Sequence, residues 1–157
     1  MRRLFVGLFL FVAVVSVPVA VSPQPGQSIP SEDYHSDSRL QCLLEFFGKG
    51  DCPAQQYSGA FLEAADDYDL DWRLLPSISY VESGGGKNAP NNNLFGWACG
   101  RAQFASPEAG IHAVAYRLAH SGLYKGKSLD QLLATYNPIE DYGRKVKSVM
   151  RQIAPSE

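Results

Sequence analysis

The stretch that decides the fold reads Trp72-Arg73-Leu74-Leu75-Pro76-Ser77-Ile78-Ser79-Tyr80-Val81-Glu82-Ser83-Gly84-Gly85-Gly86-Lys87, with Asn91-Asn92-Asn93-Leu94-Phe95-Gly96 close behind it. Leu74, Leu75, Ile78 and Val81 fall on one face at helical spacing, which predicts an amphipathic helix from Trp72 to Glu82. Asp71 is placed to cap it, and Pro76 predicts a bend or a late start because proline removes one backbone bond. The three glycines end it. Glu82 therefore sits in the last turn, where unpaired carbonyls carry partial negative charge and an anion costs roughly 0.3–1 kcal/mol. It also lies one turn after Ile78 and two after Leu75, so it points towards the apolar stripe. Helix end and partial burial both favour the protonated acid. A carboxylic acid that keeps its proton near neutral pH is what general-acid cleavage of a glycosidic bond requires.

On either side of this stretch the pattern is helical. Leu40, Leu43, Leu44 and Phe47 predict a short helix stopped at Gly48 to Asp51, and residues 57–68 a second with Phe61, Leu62 and Ala65 inward. Ser106-Pro107-Glu108 opens a strong helix with Ile111, Val114, Ala115 and Leu118 on one face, ended by Gly122. Ser128 caps another that runs to Tyr136, where Pro138 breaks it. A last helix is predicted from about Glu140 to Ile153 with Tyr142, Val146, Val149, Met150 and Ile153 inward. Between Ser83 and Ala105, dense Gly and Asn without a sustained period predict a long irregular loop or small β-like lobe, and loops of that length usually serve function. The expected fold class is mainly α, a helical domain with a small irregular or β-like lobe beside the one unusual carboxylate.

A chain of 157 residues has room for one hydrophobic core, and 14 Lys and Arg against 16 Asp and Glu leave no basic excess for nucleic acid. Arg2 and Arg3 precede an apolar run and small residues around Pro18-Val19-Ala20, so residues 1–21 read as a secretory signal peptide, or as an uncleaved N-terminal anchor. Residues 22–37, rich in Pro, Ser and Gln, read as a flexible linker, and the folded domain as 38–154. Export to an oxidising compartment and the short separation of Cys42 and Cys52 favour a disulfide between them, with Cys99 left over; the alternative is three reduced cysteines with Cys42 packing as a small apolar residue. His35, His112 and His120 are scattered, so neither a metal site nor a cofactor is expected.

Glu82-Ser83-Gly84, then Asn93-Leu94-Phe95-Gly96, Phe104, the helix around Ala109 to Leu118, and Tyr136-Asn137 ahead of Tyr142-Gly143-Arg144-Lys145-Val146 together form a pattern. It resembles the glucosaminidase branch of the lysozyme-like superfamily, the mannosyl-glycoprotein endo-β-N-acetylglucosaminidase domains and flagellar-type peptidoglycan hydrolases, over Phe61 to Ile153. The resemblance implies a lysozyme-like helical domain whose cleft binds peptidoglycan glycan strands as a monomer. It makes Glu82 the catalytic acid and Tyr136 a tyrosine facing it. Ser83, Asn93, Phe95, Gly96 and Asn137 become substrate-binding positions, with Asn93 to Gly96 forming the cleft wall. Glycosidases commonly add a second carboxylate, for which Asp141, Glu108 and Asp130 are candidates without a motif that singles one out. Pro138 stands where the related lytic transglycosylases follow Tyr-Asn with Ala-Gly, which favours the glucosaminidase branch and leaves a lytic transglycosylase or muramidase, or a non-catalytic peptidoglycan-binding module, as alternatives. Trp97 and Tyr124 are candidates to stack on sugar rings, although such residues are more often packing aromatics, and the other residues also have ordinary structural readings: Glu82 as a salt-bridged helix end, Asn91 to Asn93 as turn formers, Tyr136 as a cap on the core.

Overall fold

The computed structural model describes residues 34–155, and the proposed export segment and most of the linker lie outside them. Six α-helices carry the domain: α1 (Ser38–Lys49), α2 (Ser58–Asp67), α3 (Leu74–Ser83), α4 (Pro107–His120), α5 (Leu129–Tyr136) and α6 (Tyr142–Ile153). No strand occurs among the described residues, so the region between α3 and α4 is irregular and not β-like. None of these helices is long and apolar enough to cross a membrane.

Local chemistry sets the starts. Asp37 caps α1 by accepting from the Arg39 N–H at 2.8 Å, Ser106 caps α4 by accepting from Ala109, and Ser128 with Gln131 forms a reciprocal capping box on α5. Helix α3 starts late. Its first residue is Leu74, Pro76 falls in the first turn where no intrahelical donor is needed, and the first bond comes from Ser77 N–H to Arg73 C=O. Asp71 caps the turn before it, accepting from Arg73 N–H at 2.9 Å. The linker also ends earlier than its composition implies: Tyr34–Ser36 forms a 3-10 turn, and the Tyr34 hydroxyl donates to Asp66 at 3.0 Å.

The core is arranged around α3, which packs on α6 while α2 packs on α4. Leu74 to Ser79 are all buried, so this helix is enclosed well beyond one stripe. Ser79 is satisfied there, returning its hydroxyl to the Pro76 carbonyl at 2.9 Å, whereas the buried Ser77 hydroxyl has no hydrogen-bond partner among the described residues. A ladder of aromatic rings, Phe46–Phe47–Phe61–Phe95, with centroids 5.3, 5.8 and 6.4 Å apart, runs from α1 through α2 into the irregular lobe. Leu94 and Phe95 thus anchor the lobe in the common core.

Cys42 and Cys52 are separate thiols, which corrects the disulfide expected between them. Cys42 lies about two turns, roughly 10 Å, before the end of α1. Cys52 follows the end of that helix, its N–H on the Phe47 carbonyl, and its sulfur packs where Gly85 leaves room: a Cβ there would stand 3.0 Å from Sγ. A disulfide needs the two Cα atoms within about 7 Å. Short separation in sequence is a poor guide when half of it is helix.

Candidate functional site

Glu82 occupies the last turn of α3 as the apolar spacing predicts. The helix stops because Gly84 and Gly85 take left-handed conformations (φ 64° and 63°) that let their N–H groups return to the carbonyls of Tyr80 and Ser79. Ser83 Oγ then ties the helix end to the lobe, lying 2.9 Å from the Ser79 carbonyl and 2.8 Å from the Leu94 carbonyl while accepting from Gly86 N–H at 3.0 Å. The lobe is held mainly by Asn93, which is buried. Its carboxamide nitrogen donates to the carbonyls of Trp97 (3.0 Å) and Ala102 (3.3 Å), and its oxygen accepts from the N–H groups of Phe95 (3.3 Å) and Trp97 (3.0 Å). One side chain thereby closes the turn that carries Gly96 to the acid.

Gly96 has φ 61°, and a Cβ built on it would stand 2.7 Å from Glu82 Oε2. Only glycine lets the backbone pass so close. Glu82 is half-buried, and burial pushes its pKa above the usual glutamate value. The Tyr142 phenol tempers that rise: its hydroxyl is buried with no hydrogen bond of full geometry among the described residues, yet it lies near enough for its O–H dipole to favour the carboxylate. Burial first, and the Glu82 charge second, push both Tyr142 and Tyr136 far above the ordinary phenol range, so both remain protonated.

The Tyr136 hydroxyl donates to the Phe95 carbonyl at 2.7 Å, so it braces the lobe. Its ring stacks on Tyr142 (5.9 Å, 5°) and meets Trp97 edge-on (5.5 Å, 66°), while Trp97 in turn packs on Tyr124 at 6.3 Å. Trp97, Tyr124 and Tyr136, with Glu82, Gly96, Arg117 and Asn137, line an open cleft of about 610 Å³, and Tyr142 stands behind Tyr136. Ala98, Cys99 and Gly100 follow one another in left-handed conformations (φ 54°, 56° and 77°), and the first two also line it. On its other side Glu82 borders a smaller pocket of about 160 Å³ with Asn137, Tyr142 and Lys145.

Of the residues singled out by sequence, the structure brings Glu82, Gly96, Trp97, Tyr124, Tyr136 and Asn137 to one cleft. Ser83, Asn93 and Phe95 are buried behind it and shape its wall. None of the three candidate second carboxylates lines it: Asp141 pairs with Arg144, Asp130 with Lys147 at 2.5 Å, and Glu108 sits exposed in the first turn of α4. Tyr142 and Arg117 escaped sequence reasoning. Tyr142 reads as one more inward residue of α6, and nothing in the local pattern distinguishes its hydroxyl; Arg117 reads as an ordinary cation near a helix C-terminus. No protein-family model matches this chain, and no curated protein matches it significantly. The arrangement can do one thing by itself: deliver a proton from a partly desolvated carboxyl to a ligand held among aromatic rings.

Proposed function

We propose that this domain is a glycosidase of lysozyme-like architecture that cuts the β-1,4-linked aminosugar backbone of peptidoglycan, in the manner of an endo-β-N-acetylglucosaminidase, with Glu82 as general acid. One observation carries the reading: an acid with raised pKa and no ion-pair partner among the described residues opens onto a cleft walled by Trp97, Tyr124 and Tyr136. Sugar rings present C–H faces that pack on such aromatics, and a protonated carboxyl between them is placed to protonate a glycosidic oxygen. The resemblance of the Glu82, Asn93–Gly96 and Tyr136–Asn137 segments to the glucosaminidase branch supports the same assignment. An envelope location agrees with it, since that is where the substrate lies and where the apolar stretch after Arg3 would direct the chain.

Glu82 is the only carboxylate among the described residues that line the cleft. A mechanism with a single acid therefore suits it. Glu82 donates its proton to the leaving oxygen as the C–O bond breaks, and the substrate's own acetamido oxygen attacks the anomeric carbon. Water then opens that ring and returns a proton to the Glu82 carboxylate. The same observation favours one second reading, lytic transglycosylation, in which the sugar's C6 hydroxyl attacks and gives up its proton to Glu82. Digestion of purified peptidoglycan by the full chain, with mass spectrometry of the new ends, tests both. Reducing N-acetylglucosamine ends support the glucosaminidase, anhydro-muramic ends the transglycosylase, and reducing muramic ends a muramidase. Binding without release identifies a non-catalytic wall-binding module, and no binding overturns the proposal.

A further inference from the structure

Proton transfer leaves one charged group of the cleft without a task. Arg117, on α4, lines the same cavity as Glu82, with its guanidinium carbon 5.7 Å from the centre of the Trp97 ring. Its charge reaches the Tyr124 phenol, where it opposes the upward shift that burial imposes. Arg39, Arg73 and Arg144 each meet an aspartate, whereas Arg117 forms no ion pair with a carboxylate among the described residues. It is also the only cation among the described residues that line the cleft. A guanidinium resting over an indole face keeps its N–H edges available to acceptors in its own plane, and a carboxylate fits that fork with two parallel hydrogen bonds. A neutral sugar polymer offers no such partner.

Building on the glycosidase reading above, we propose that Arg117 is a specificity-determining residue that pairs with a carboxylate carried by the glycan strand, so that the cleft selects carboxylated aminosugar polymers over neutral ones. The carboxylate has two sources of the same chemistry: the lactyl group of muramic residues on strands stripped of peptide, or the stem peptide on strands that keep it. Trp97 holds the guanidinium over the cleft, and Arg117 reads what the strand carries beside the ring it stacks.

The test uses the full chain with Glu82→Gln, which retains glycan without consuming it, and three hexamers of equal length. These are N-acetylglucosamine hexamer, the peptide-free alternating hexamer with free lactyl carboxylates, and the alternating hexamer with stem peptides. Calorimetric affinities are expected to favour a carboxylated hexamer over the neutral one, with a preference that weakens as salt is raised. Adding Arg117→Gln should reduce that preference by roughly 10- to 100-fold, as loss of a charged hydrogen-bonded pair does. Arg117→Lys should recover part of it, because charge returns without the fork. The carboxylated hexamer that loses more identifies the source. A preference ratio unmoved by Arg117→Gln, with all affinities falling together, overturns the proposal and reduces Arg117 to a support for Trp97. Equal binding of the three hexamers overturns it too and leaves the glycosidase reading standing; binding of none overturns both.

Discussion

Two regions of the domain treat carboxylates in opposite ways. At the corner where α1 meets α2, Asp37 and Asp66 both grip Arg39, through contacts of 2.7 Å each, and the guanidinium holds their carboxyls below the usual aspartate range. At the end of α3, Glu82 meets a glycine backbone, a phenol and apolar surface, and burial moves it up. The chemistry of the side chains is nearly the same, and what differs is whether a cation was placed beside them. The corner uses its carboxylates for stability. The cleft forgoes that stabilisation and leaves its acid with a raised pKa, which is the contrast the proposed chemistry depends on.

The sharpest break in the comparison is Glu82→Gln, which keeps shape and removes the transferable proton. Peptidoglycan release should fall by roughly 10²–10⁴-fold, measured on protein whose circular dichroism and melting curve are intact. Stability should hold or rise at neutral pH. A folded-state pKa above the unfolded one means that the unfolded chain ionises first as pH rises, so the native state carries a penalty above the ordinary glutamate pKa that is absent in acid. Glutamine removes it. Parental activity in a folded Glu82→Gln protein would return Glu82 to the ordinary helix-end reading.

Next in size is Gly96→Ala. The new methyl group would stand 2.7 Å from Glu82 Oε2 on a backbone held at φ 61°, so either the lobe or the carboxyl must move. A displacement of about 1 Å at a reacting group can cost on the order of 10²-fold in rate. The strained backbone should also lower the unfolding midpoint, by about 1 kcal/mol in stability. Full activity with an unchanged melting curve would show that Gly96 and the acid are not as tightly fitted as the geometry requires.

Helix existence was readable in the sequence because the helices carry their own signals, caps at Ser106 and Ser128 and apolar faces at regular spacing, whereas the Asp37 cap on α1 was hidden in a stretch whose composition reads as linker. The acid was readable for the same reason, since helical spacing alone aims Glu82 at the apolar face. The aromatic wall was legible only in part: Trp97 and Tyr124 could be named as rings able to stack on sugar, but their meeting with Tyr136 was not readable, because Trp97 in the lobe, Tyr124 after α4 and Tyr136 on α5 lie far apart in the chain. No local period reports that kind of contact. Tyr136 illustrates the limit: it shares the cleft with the acid, but spacing could not tell that its hydroxyl is taken by the Phe95 carbonyl while the phenol of Tyr142, buried without a hydrogen bond among the described residues, is the one that acts on Glu82.

That exchange of roles gives a smaller prediction. Tyr142→Phe removes a buried hydroxyl without a hydrogen bond, so stability should be unchanged or higher by about 1 kcal/mol, in contrast to the loss that follows removal of a satisfied one. Loss of the O–H dipole beside Glu82 should raise the acid's pKa further, since that dipole now works against burial. The basic limb of the pH–activity profile should therefore move to higher pH, with less than about tenfold change at the optimum. A limb that stays in place assigns Tyr142 to packing alone.

The smallest effect belongs to the corner, through Arg39→Gln. Exposed and half-exposed ion pairs contribute about 1 kcal/mol or less, and Asp37 keeps its cap on the Arg39 N–H whatever side chain follows, so α1 should still form. Asp37 and Asp66 have folded-state pKa values below those of the unfolded chain. Their contribution is therefore complete above the ordinary aspartate pKa and fades as pH falls through the lowered values. Wild type should exceed Arg39→Gln in urea midpoint at about pH 7, and the two should converge at about pH 2, where both carboxyls are protonated. Peptidoglycan release at neutral pH should differ little, because nothing in this pair touches the cleft. If the two proteins instead differ by the same amount in acid, Arg39 supports the corner by the packing of its stem, and the contrast between paired and unpaired carboxylates narrows to Glu82 alone.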